Sequence, residues 1–96
     1  MAVNDYAEQV IHNIKQNIRY LREYRGMTQK ELADITGVTP QYISALERVG
    51  GEKGPTIKNL AKLAEALGTT AGRLVDVRIS KTIEQLVEES FSDLED

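Results

Sequence analysis

Cysteine is absent from this 96-residue chain, which removes disulfide staples, thiolate metal sites and cysteine nucleophiles from consideration. No apolar run approaches the roughly 18 residues that a membrane-spanning helix needs, and the N-terminus lacks the basic-then-apolar order of a secretory leader. The expectation is a cytoplasmic chain without a membrane segment. A single histidine, His12, has no cysteine, second histidine or spaced carboxylate pair beside it, so neither a metal site nor a proton-transfer pair can be built around it. Ser44 has no histidine partner, the glycines at 50, 51 and 54 do not follow a strand pattern, and a P-loop lysine motif is missing. Enzymatic chemistry, cofactors and metals are therefore not expected. The length suits one small domain with tails.

Charge is unevenly spread along the chain. The formal total is −3, yet residues 13–62 hold nine Lys/Arg against five Asp/Glu, a local balance of +4. Residues 1–12 contribute Asp5 and Glu8 without a lysine or arginine, and residues 63–96 sum to −5. The small net charge thus hides an asymmetric molecule, basic in its middle and acidic at its ends.

Apolar spacing divides the chain into helices. Asp5-x-x-Glu8 has the form of a capping box, after which Tyr6, Val10, Ile14, Ile18 and Leu21 recur at three- and four-residue steps as far as about Arg25. Gly26 closes that helix, and Thr28-x-x-Glu31 opens a second one carrying Leu32, Ala33 and Ile35. Thr36-Gly37 stops it, Val38 returns to the core, Thr39 caps, and Pro40 fits a first helical position. After VGGEKGP, Thr56 caps a fourth helix with Ile57, Leu60, Ala61, Leu63, Ala64 and Leu67 on its apolar side. Thr70 caps a short fifth helix with Leu74 and Val75, and residues 80–94 place Ile83, Leu86, Val87, Phe91 and Leu94 at helical spacing. The pattern offers no strand.

The third helix, from Pro40 to about Arg48, separates into two faces at 100° per residue. Ile43 and Leu46 point to the core, while Pro40, Gln41, Ser44, Ala45 and Arg48 occupy an opposite arc of about 140° without a large apolar side chain. Tyr42 falls at the margin, where it can pack, bond a phosphate through its hydroxyl, or touch a thymine methyl.

The run TQKELADITGVTPQYISALER at 28–48, followed by PTIKNLAKLAEALG at 55–68, resembles the Xre-type, phage-repressor-like helix-turn-helix family. The resemblance spans about residues 13–75 and implies an all-α fold. It is a compact five-helix DNA-binding domain whose third helix enters the major groove of double-stranded DNA. By position, Gln29 matches a phosphate-binding residue at a helix N-terminus, where an anion is also favoured. Gln41 matches a base-reading position, and glutamine can pair bidentately with adenine. Ser44, Ala45 and Tyr42 join it on the base-contacting side, and Thr39, Arg48 and Lys53 join Gln29 on the phosphate-contacting side. Arg22 and Glu47 match a structural pair tying the first helix to the third.

Two positions depart from the family pattern. Pro40 stands where some members carry a base-reading glutamine, and the connector VGGEKG is longer than usual, with Lys53 as its only base. The division expected is an N-terminal extension of the first helix at 1–12, the DNA-binding domain at 13–75, and an acidic amphipathic helix at 76–96. That last helix needs a cover for its apolar stripe, and its own domain, a second copy or another protein would each supply one. The functional expectation is a small transcriptional regulator, a repressor acting as a homodimer on a pseudo-palindromic operator. The alternative is an antitoxin-like interaction protein whose C-terminal segment binds a protein partner.

Overall fold

The structure, a computed structural model, describes residues 3–48, 50, 51 and 54–76. Five helices follow one another as α1 Val3–Tyr24, α2 Gln29–Thr36, α3 Pro40–Glu47, α4 Ile57–Ala66 and α5 Ala71–Val75, and none of the described residues lies in a strand. The additional C-terminal helix expected within 76–96, with its dimer or partner role, lies outside the described residues beyond Asp76, as does Lys53.

Aliphatic side chains from all five helices meet in one core. Ile18, Leu32, Ile43, Leu63 and Leu74, one from each helix, are completely buried. Each such burial is worth about 1.5–3 kcal/mol against exposure. Short helices of eight residues, such as α2 and α3, are marginal alone and hold their shape through this packing and through their caps. Thr28 accepts from the Glu31 amide while Glu31 accepts from the Thr28 amide, and Thr39, Thr56 and Thr70 each accept from the amide three residues on. Each cap is worth about 1 kcal/mol.

Several features differ from the sequence pattern. The box at Asp5 and Glu8 is not a boundary, because α1 already runs from Val3, and Asp5 instead sits in the first turn, where its charge suits the positive helix end. Ile35 is 60% exposed, because α2 turns Leu32, Ala33 and Thr36 inward and Ile35 lies about 110° from the middle of that arc. Ile57 is 86% exposed, since it begins α4 ahead of the turns that pack. Arg25 donates from Nε to the Leu67 carbonyl at 2.6 Å and so closes the end of α4, a role its exposed position in the sequence pattern does not reveal. Its guanidinium lies over Gly68, where a Cβ would stand 2.5 Å from Nη2.

The α2–α3 turn depends on Gly37, whose φ of 74° lets its amide reach Ala33 and the Val38 amide reach the same carbonyl. No atom lies within 4 Å of a Cβ placed there. Gly37→Ala therefore isolates the backbone term, and its expected cost is about 1–2 kcal/mol, read as a lower urea midpoint at unchanged slope.

Candidate nucleic-acid interface

The turn sets α3 on the outside of the bundle, braced by α2 and α1. Ile43, Leu46 and Glu47 are buried, while Pro40, Gln41, Ser44, Ala45 and Arg48 are all exposed. Pro40 takes the first helical position and has no N–H to satisfy. The exposed side of α3 thus offers an amide, a hydroxyl, a methyl and a terminal guanidinium on one surface.

Behind this face lies a buried ionic network. Arg22 donates from Nε to Glu47 Oε2 at 2.7 Å and from Nη2 to Oε1 at 2.9 Å, and its Nη1 donates to the Met27 carbonyl at 2.7 Å. The two side chains are 11% and 4% exposed. Its hydrogen bonds to Glu47 hold the Arg22 guanidinium above its usual range against the opposing effect of burial. Glu47 Oε1 also accepts from Gln29 Nε2 at 3.2 Å. The salt bridge therefore fixes the Gln29 side chain at the start of α2 and leaves its second amide hydrogen available. That hydrogen and the first-turn amides of α2 suit an anionic oxygen.

Tyr42 is half-buried and packs against the core, with its amide donating to Thr39 Oγ1 at 3.0 Å. Its phenol oxygen accepts from Asn59 Nδ2 at 3.0 Å, which ties α3 to α4. The phenol hydrogen stays free to donate outward, and so does the hydroxyl of Thr39. Asn59 is a participant that sequence reading misses, since an asparagine in the first turn of a helix has many ordinary uses. Among the described residues no group of three or more His, Cys, Asp and Glu side chains could hold a metal ion, and no helix is long and apolar enough to cross a membrane.

Comparison with known proteins gives a consistent result. The family model for the helix-turn-helix, HTH_3, matches residues 18–74. An HTH-type transcriptional regulator of Sinorhizobium fredii, y4dJ, is 40% identical over 62 residues, covering 65% of this chain and 78% of that protein. The clp gene regulator ClgR from Corynebacterium glutamicum has a similar structure, with a TM-score of 0.65 at 27% identity over 88% of each chain. The restriction-modification controller protein C.AhdI from Aeromonas hydrophila superposes with a TM-score of 0.60 at 31% identity, covering 67% of this chain and 94% of its own.

Proposed function

Because the chain belongs to the Xre-like helix-turn-helix family of DNA-binding transcription regulators, which are not enzymes, we propose that it is a repressor that occupies a pseudo-palindromic operator as a homodimer in the cytoplasm. The observation that carries this reading is the exposed outer side of α3, presented by a buried salt bridge that also orients Gln29. Gln41, Ser44, Ala45 and Tyr42 are the proposed base contacts, and Gln29, Thr39 and Arg48 the phosphate contacts; Lys53 joins them on its sequence position alone. Residues 13–75 form the DNA-binding unit in this proposal. An eight-residue α3 is about 12 Å long, enough for only a few base pairs, so genomic specificity favours two copies with recognition helices about 34 Å apart.

Two substitutions test the division of labour. Gln41→Ala is expected to relax the sequence preference, costing about 1–3 kcal/mol at one base pair, whereas Gln29→Ala weakens binding by a similar factor on every sequence. Binding isotherms on cognate and scrambled duplexes read the difference. Equal losses from both variants on both duplexes would refute the assignment, and a monomer in ultracentrifugation with no selected DNA site would refute the operator.

A further inference from the structure

On the same face of α1 as Arg22, two turns nearer the N-terminus, Glu8, His12 and Lys15 border an open cleft of about 290 Å³, closed by Ile11 and by Gly50 and Gly51 of the connector. Lys15 is only 6% exposed, an unusual position for an ammonium group. Its Nζ reaches the backbone just beyond α3, because a Cβ on Gly51 would stand 2.9 Å from it and 3.5 Å from the Arg48 carbonyl oxygen. Only glycine leaves that approach open.

Among the described residues, the charge around this cleft is unbalanced. Ion pairs among the described residues join Arg19 to Glu23, and Arg22 to Glu23 and Glu47, and include neither Lys15 nor Arg48. Glu8 shares the cleft but stands seven residues before Lys15, about 10 Å along the helix, and makes no ion pair with it. Burial first, and then the nearby positive charge of Arg48, lower the Lys15 ammonium below the ordinary lysine range. Two cations converge on the end of α3, and together they outweigh the partial negative charge of that helix terminus. An anion in the cleft would offset the charge of Lys15, which the cleft exposes.

We propose that this cleft is an oxyanion site that takes a phosphate group on Lys15, with the Gly50–Gly51 backbone at its rim. The phosphate belongs either to the DNA backbone or to a free anion. Only the first source rests on the DNA-binding reading. An ammonium on a buried stem, opening into the cleft beside a side-chain-free backbone, suits a compact, strongly charged group better than a carboxylate on a bulky ligand.

Titrating the full chain with inorganic phosphate at constant ionic strength, followed by the Gly51 amide resonance, is expected to give a saturable shift. Lys15→Met should abolish it and Lys15→Arg should retain it, with circular dichroism and thermal melting showing that both variants fold. An unmoved Gly51 resonance in the unaltered chain, or an equal shift in a folded Lys15→Met variant, would overturn the site. The dependence of DNA affinity on salt then identifies the source. A log–log slope smaller by about 0.9 in Lys15→Met assigns the site to a DNA phosphate, and an unchanged slope in that variant, with the phosphate response present in the unaltered chain and lost in Lys15→Met, assigns it to a free anion. If the unaltered chain shows no DNA preference while Gly51 still responds, the operator reading fails and the oxyanion site stands.

Discussion

Substituting Glu47 with alanine is expected to destabilise the fold by about 3–5 kcal/mol, a large share of the roughly 5–15 kcal/mol that holds a domain together. Glu47 takes two charged hydrogen bonds from Arg22 with its side chain 4% exposed, so its loss leaves a nearly buried guanidinium without its anion. The bond to the Met27 carbonyl and the half-exposed Glu23 carboxylate 3.7 Å away offset only part of that charge. Urea unfolding would show the loss as a lower midpoint at an unchanged slope. Removing both partners should cost much less, because Arg22→Met with Glu47→Leu strands no charge and fills the space with apolar groups. If the double variant is as unstable as the single one, the buried charge is not the cause.

The same pair separates stability from recognition. Glu47 also orients Gln29, so the double variant should regain stability yet bind every duplex more weakly than the unaltered chain. Recovery of both properties together would show that Gln29 needs no orientation.

What could be read from the chain was mostly local. Caps at Thr28, Thr39, Thr56 and Thr70 state their own geometry, because a threonine followed three residues later by a free amide is a short-range device. The two faces of α3 follow from helical period alone, and its exposed residues are those that periodicity turns away from Ile43 and Leu46. Ile35 and Ile57 show where period fails, since an apolar residue at an acceptable spacing faces solvent when no neighbouring helix reaches it. Long-range polar contacts leave even less trace. Arg25 and Leu67 are 42 residues apart, and nothing in the surroundings of Arg25 distinguishes it from Arg19, whose exposed pair with Glu23 is worth at most about 1 kcal/mol. Lys15 reads as an ordinary surface lysine until Gly51 is brought against it. Asn17 did carry a signal. It stands at the step between Ile14 and Leu21 in the buried stripe of α1, where a polar side chain requires an explanation.

That explanation makes Asn17→Asp the second large expected effect. The Asn17 amide is 2% exposed and gives both its hydrogens away, to the Leu74 carbonyl at 2.9 Å and to the Asp76 carbonyl at 2.7 Å. A carboxylate there would put one acceptor oxygen in place of Nδ2 against both carbonyl oxygens and leave both unsatisfied, at about 1–3 kcal/mol each before the desolvation of the charge is added. Burial and the carbonyl dipoles favour the neutral acid, so the folded-state pKa of the introduced group rises above its unfolded value of about 3.9. With the folded state binding more protons, stability is greatest below the unfolded pKa and falls as pH rises through the folded one. The deficit against the unaltered chain should therefore grow from about pH 4 to pH 7, since the protonated acid can still donate one hydrogen to one carbonyl. Urea midpoints measured at several pH values would show the trend, while Asn17→Leu, which has no titrating group, should lose stability equally at each. A pH-independent deficit for Asn17→Asp would mean that shape rather than donation holds α5 on α1. A rising deficit would establish that two hydrogens from one side chain decide where the chain leaves α5.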